Sequence, residues 1–126
     1  MTSENAQKIL TDTGLRNTAD RRALLQLFDE QRAWTVAQLH NRLLRADLST
    51  IYRNVSQLTN KGLLCEAEVR GKETYYELTG RDHHAHSICQ HCGLATCVPC
   101  PLKNQSKQHA LEFYSTCDRC HLSNPT

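Results

Sequence analysis

HHAHSICQHCG, residues 83–93, places four histidines and two cysteines within ten consecutive positions. Neither a packed core nor a solvated loop requires that density. Three arrangements are compatible with it: one metal site, two metal sites sharing a strand, or a redox pair beside unrelated histidines. The rest of the chain decides among them, and with them whether the protein has one core or two unlike halves.

Outward from this stretch the composition divides. Residues 1–80 hold one of the seven cysteines and one of the seven histidines, and residues 81–126 hold the others. The charge also divides: the first 80 residues carry 11 basic and 10 acidic side chains, the remainder 4 and 3. At 39% hydrophobic and 22% charged residues, the chain is not a disordered one. Its formal charge of +2 is too small to argue for nucleic acid by itself. No apolar run approaches membrane-spanning length, and MTSENAQKIL lacks a secretory pattern, which points to a cytoplasmic protein with no membrane partner. An odd number of cysteines, six of them in Cys-x2-Cys pairs, suits metal ligation in a reducing compartment better than a disulfide framework.

The first part reads as short helices followed by a hairpin. Ser3–Asp12 forms a weak helix closed by Gly14, and Ala23, Leu24, Leu27 and Phe28 repeat at helical spacing from Asp20 to Asp29. Thr35 is placed to cap a third helix with Val36, Leu39, Leu43 and Leu44 as its apolar stripe. Asp47 or Ser49 caps a fourth, lined by Ile51, Tyr52, Val55 and Leu58 and closed by Gly62. LLCEAEV and ETYYEL then make two strands of a hairpin. This order is that of a winged helix-turn-helix, whose recognition helix lies in the major groove. Ser49, Thr50, Arg53, Asn54, Gln57 and Lys61 would form its exposed hydrogen-bonding face. An ordinary polar surface over a helical core fits the same pattern.

The second part reads as short strands, including LATCV, and a helix from Pro101 to about Phe113. Leu102, Ala110, Leu111 and Tyr114 are too few apolar residues to fold 46 positions alone, so a metal staple is expected. Cys89-x2-Cys92 and Cys117-x2-Cys120 supply one. Each pair presents two thiolates on one side of a tight turn, and two such knuckles close a tetrahedral zinc site. Cys97-x2-Cys100 is ambiguous: it can substitute in the zinc site, form a reversible disulfide, or lend Cys97 to a second metal. His84 and His86 lie two apart, so on a strand they share a face and suit a second, more accessible metal. An exposed polar strand is the plain alternative. His91 is read as solvent-facing or supporting, and His40, His109 and His121 as surface residues.

DLSTIYRNVSQLTNKGLL, then YYEL, then HHAHSICQHCG, then a late Cys-x2-Cys, resembles the ferric uptake regulator family from about Gly14 to Cys120. The resemblance implies an α+β fold: an N-terminal winged helix-turn-helix (residues 1–80), then a small zinc-stapled α/β domain for metal binding and dimerisation (residues 81–126). It implies a homodimeric repressor on an AT-rich inverted repeat in double-stranded DNA. Tyr52 would meet a thymine methyl, Arg53 a guanine edge, and Arg16 a minor groove or phosphates. Glu77, His84 and His86 match the regulatory metal site between the domains, and the four knuckle cysteines match the structural zinc.

Departures from the family pattern are also visible. Ala33 stands near a position that often holds a ligating histidine. Cys97 replaces a carboxylate, and Cys65 sits where zinc-sensing relatives place a ligand. Ala85 and Asn104 replace the acidic residues of a further surface site, and the segment between the knuckles is shorter by about one strand. A regulatory set of Cys65, Glu77, His84, His86 and Cys97 combines thiolate with imidazole, which favours zinc over iron or manganese. Iron and peroxide sensing stay open because Glu77 suits those branches. A thiol-disulfide or metal-carrier protein is the rival of another class, but it needs neither STIYR nor a wing. No nucleophile–base pairing is identifiable, and a zinc saturated by cysteines leaves no position for substrate, so an enzyme is not expected.

Overall fold

Local signals account for the four helices that open the chain. The computed structural model describes residues 1–67, 69, 73–101 and 111–123, without the side chains of residues 121–123. Helix α1 spans Ser3–Asp12, where the Thr2 hydroxyl accepts from the Asn5 N–H and Gly14 (φ 80°) turns the chain away. Helix α2, Ala19–Phe28, is capped by Thr18 through the Arg21 N–H. A two-residue strand β1, Arg32–Ala33, precedes α3, Val36–Arg42. Thr35 and Gln38 cap α3 reciprocally, each side chain bonding the other's backbone N–H. Helix α4, Leu48–Asn60, starts after Asp47, whose side chain makes no capping bond, and ends before Gly62.

These helices bury one face each. Leu10, Leu24, Leu25, Phe28, Trp34, Leu39, Ile51, Val55, Leu58 and Leu64 form a shared core. Each large side chain so buried contributes roughly 1.5–3 kcal/mol. On α4 the buried positions are Ile51, Asn54, Val55 and Leu58, the spacing of a single helical face. The structure corrects three expectations here. Tyr52 is 57% exposed rather than part of the apolar stripe, and Leu44, beyond the end of α3, is also exposed. Asn54, expected at the surface, is buried.

Strands β2 (Leu64–Glu66) and β3 (Tyr76–Leu78) pair antiparallel, with Cys65 opposite Glu77. Strands β4 (Ala85–Cys89), β5 (Ala95–Val98) and β6 (Glu112–Ser115) join β1 in a four-stranded sheet of order β1-β5-β4-β6. β4 is antiparallel to β5 and parallel to β6. The sheet therefore takes one strand from the first 80 residues. Trp34 beside β1 also exchanges both backbone hydrogen bonds with Tyr76, so this short segment touches the wing on one side and β5 on the other. A second, smaller core of Ala33, Ala67, Tyr75, Ile88 and Ala95 fills the junction.

The helix expected up to Phe113 is corrected at its end. Glu112–Ser115 is a strand, because pairing with β4 satisfies its backbone while a thin helical stripe has little to bury. Residues 102–110 lie outside the described residues. Helix α5, Asp118–Ser123, follows Cys117. Among the described residues no helix is long and apolar enough to cross a membrane.

Candidate metal centre

Two groups of ligand atoms converge. In the first, the sulfurs of Cys89, Cys92, Cys117 and Cys120 all lie within 4.8 Å of one another, with Cys92 and Cys117 at 3.7 Å. β4 delivers Cys89, the turn after it delivers Cys92, and the approach to α5 and its first turn deliver the other pair. Donors about 2.0–2.3 Å from a tetrahedral zinc stand roughly 3.3–3.8 Å apart, so the cage suits such an ion. Four crowded thiols cannot ionise alike without a cation. Burial opposes the Cys89 thiolate, yet backbone N–H groups of Cys117, Cys92 and His91 bring its pKa down to about 6. Hydrogen bonding to the Cys117 and Cys92 sulfurs pushes Cys120 up to about 12. The knuckle is tied to the helical half through Gly93, whose carbonyl accepts from Tyr75 Oη at 2.8 Å and Gln38 Nε2 at 3.1 Å. Gly93 has φ 79°, which favours glycine, and a Cβ there would crowd the Tyr75 hydroxyl at 3.2 Å.

The second group combines Glu77 of β3, His84 just before β4, His86 of β4 and Cys97 of β5, again within 4.8 Å. Glu77 Oε2 is the hub. It lies 3.0 Å from His84 Nε2, 3.3 Å from His86 Nε2 and 3.8 Å from Cys97 Sγ. The β4–β5 register sets His86 directly opposite Cys97, which is why these two meet. His84 Nδ1 lies 2.7 Å from the Asp82 carbonyl, an arrangement that frees Nε2 for a ligand role. Burial disfavours the Glu77 carboxylate, but hydrogen bonds from His86 and His84 outweigh it and hold its pKa below the usual range. Burial pushes the Cys97 thiol up, with Arg81 and Glu77 acting in opposite senses. Two imidazoles, one carboxylate and one thiol make a donor set that fits a divalent transition metal. A cavity of about 480 Å³ lined by Arg81, His83, His84 and Cys97 opens onto it.

Cys65 is the one expected ligand outside this group. It faces Glu77 across the β2–β3 ladder, and its thiol is pushed up first by burial and then by that carboxylate, but its sulfur does not join the four atoms. Ala33 is fully buried in β1, a position held for packing rather than coordination. Cys100 is buried outside both groups.

The sequence matches the family model described as the ferric uptake regulator family over residues 12–118. The chain belongs to that family. Members of the ferric uptake regulator family are metal-responsive transcription regulators, not enzymes. A ferric uptake regulation protein of Staphylococcus epidermidis is 30% identical, the alignment covering 95% of this chain and 97% of the relative. Another from Shigella flexneri is 32% identical over 74% of this chain and 66% of its own length. Among solved structures, the Vibrio cholerae ferric uptake regulator superposes with a TM-score of 0.69 at 22% identity, covering 88% of this chain and 98% of that one. A zinc-bound manganese uptake regulator gives 0.68 at 22%, covering 93% and 99%. These two likenesses concern the fold: paired helices and wing, then the strand-rich metal half.

The face expected from the sequence to meet DNA is uneven in this chain. Arg16, Ser49, Tyr52 and Arg53 are exposed, Thr50 and Gln57 half-buried, and Asn54 buried. Arg21 of α2 explains the last two. Its Nε donates to Asn54 Oδ1 at 3.2 Å, its Nη2 bonds Gln57, and its Nη1 donates to the Arg16 carbonyl at 3.0 Å. Asn54 is thus taken up in holding α4 against α2. Arg81, which sequence spacing does not single out, stands beside the second metal group: Nη1 is 3.4 Å from Cys97 Sγ and 3.9 Å from Glu77 Oε2. It sits in the loop after β3, where only the folded arrangement shows what surrounds it.

Proposed function

We propose that this chain is a zinc-responsive repressor that binds double-stranded DNA as a homodimer, on an AT-rich inverted repeat, to regulate metal-homeostasis genes in the cytoplasm. The observation carrying the choice of metal is the convergence of Cys97 with His84, His86 and Glu77. Thiolate with imidazole ranks zinc above iron and manganese, which favour oxygen-rich shells. Residues 1–80 serve as the DNA-binding unit and 81–126 as the metal-binding and dimerisation unit. Cys89, Cys92, Cys117 and Cys120 would hold a structural zinc, and Glu77, His84, His86 and Cys97 a regulatory one.

A bound dication supplies charge neutralisation and fixed angles among its ligands. Glu77 belongs to the wing, whereas His84, His86 and Cys97 belong to the following strands or their approach, so joint ligation sets the wing against the sheet. In a dimer that angle governs the spacing of two α4 helices. Metal shifts the equilibrium only by its greater affinity for the closed arrangement. At the DNA, Arg53 would read a guanine edge, Tyr52 a thymine methyl, and Arg16 the backbone or minor groove, with Ser49 and Thr50 at the start of α4 beside them.

Two measurements test this. His86→Ala keeps the structural zinc and loses metal-dependent DNA binding when an AT-rich inverted-repeat duplex is titrated at buffered free zinc. A variant retaining the full zinc response would place sensing elsewhere, and a response to iron or manganese instead of zinc would reassign the metal. Arg53→Ala costs about 1–3 kcal/mol on that duplex and relaxes one base pair, with little loss on random DNA. Equal losses on both would remove Arg53 from base reading.

A further inference from the structure

Arg81 opens the connection between the two halves, and its guanidinium is held on every side. Nη2 donates to the carbonyls of Phe28 and Glu30, each at 2.7 Å, and Nη1 to the carbonyl of Arg32 at 3.2 Å. The Phe28 and Glu30 carbonyls lie at the C-terminal end of α2 and just beyond it, where the helix dipole favours a cation, and Arg32 belongs to β1. The other side of the same group meets Cys97 Sγ and Glu77 Oε2, two of the four converging metal ligands. Only 14% of the side chain is exposed. A fixed charge thus sits between a metal cluster and the end of a helix, bonded to both.

The other end of α2 carries Arg21, which grips Asn54 and Gln57 of α4 and the backbone of Arg16. Ten helical residues span about 15 Å, a stiff strut between the two arginines. We propose that Arg81 is the positioning residue through which metal at the Glu77–His84–His86–Cys97 cluster acts on α2, and through α2 on α4. Without metal, Glu77 and Cys97 share the guanidinium with the α2 carbonyls. A dication drawn to those two ligands repels Arg81, which then bears on the Phe28, Glu30 and Arg32 carbonyls alone. The end of α2 therefore senses occupancy, and the arrangement with Arg81 turned fully toward α2 binds metal more tightly. This inference rests on the regulatory assignment of that cluster.

The opposing charge gives a test that separates transmission from simple support. Arg81→Gln removes the cation, so zinc at the cluster binds at least about tenfold more tightly, the size expected for a unit charge and a dication about 5 Å apart even with water-like screening. Zinc affinity is read by competition with a chromophoric chelator, and amide hydrogen exchange is followed with and without the second equivalent. In the wild-type chain zinc alters protection at the end of α2 and along α4. In Arg81→Gln the change stays within β3, β4 and β5. A purely supporting arginine predicts weaker zinc binding on its removal, and that result overturns the proposal. So does an unaltered zinc response in α2 and α4. Arg81→Lys separates charge from shape: it keeps the repulsion, and thus the wild-type affinity, yet loses the α2 response because one ammonium cannot hold three carbonyls and a sulfur. A wild-type chain taking up no second zinc would instead strike down the regulatory assignment itself, and this inference with it.

Discussion

The two ligand clusters are alike in size and unlike in origin. Cys89, Cys92, Cys117 and Cys120 come from two local knuckles, all thiols, with Cys92 exposed. Glu77, His84, His86 and Cys97 come from three strands or their edges, span both halves of the chain and mix three kinds of donor. In the proposed function the first holds together a region whose apolar content is thin. The second lies where the wing, β1 and the sheet meet, so its occupancy bears on how those parts sit. A saturated, local cage suits a permanent ion; a mixed cage open to a cavity of about 480 Å³ suits one that comes and goes.

That contrast breaks most visibly at Cys117. Structural zinc contributes on the order of 10 kcal/mol or more, comparable with a small domain's whole stability. Cys117→Ser therefore unfolds the strand-rich half, seen as lost zinc and lost exchange protection in β4 to β6. A variant keeping both would make the all-cysteine cage dispensable.

Substitutions at Cys97 and Cys65 probe the second cluster. Cys97→Ser removes a ligand and weakens the second zinc by more than about 100-fold, beyond the loss typical of an outer partner. Cys65→Ser, whose sulfur lies outside the four converging atoms, changes that affinity by less than about tenfold. Comparable losses from both, measured by chelator competition, would return Cys65 to the ligand set.

The smallest effect is graded with pH. Burial pushes the Cys97 thiol up, so at neutral pH the metal-free site carries its proton, and ligation must release it. Second-site affinity then falls by about tenfold for each unit the pH is lowered. Glu77 adds nothing to this slope, because its depressed pKa keeps it ionised until well below neutrality. Its own contribution to stability has the matching sign: present above the ordinary carboxylate range and lost as pH falls through the depressed value. Proton release below one per zinc, measured by calorimetry in buffers of different ionisation enthalpy, would remove Cys97 from the ligand set.

Much of this was legible along the chain because it is local. The cap at Thr35, turns at Gly14 and Gly62, and the alternation through His84 and His86 act within a few residues, so type and spacing suffice. The paired Cys-x2-Cys knuckles announce their chemistry for the same reason, and the resemblance supplied Glu77 and Cys97 as partners for the histidines. Other features follow from distance in space. β1 is two residues long and exists because β5 pairs with it and Tyr76 with the adjoining Trp34. Glu112–Ser115 is a strand because β4 lies alongside, a partner its own composition does not name. Asn54 reads as a surface amide until α2 brings Arg21 against it. Sequence determined which donors the chain carries and which helices hold themselves. Tertiary structure decided that Cys65 stands outside the second cage and that Arg81 stands between that cage and α2, since a backbone hydrogen bond or a charge contact depends on what the fold brings within about 4 Å.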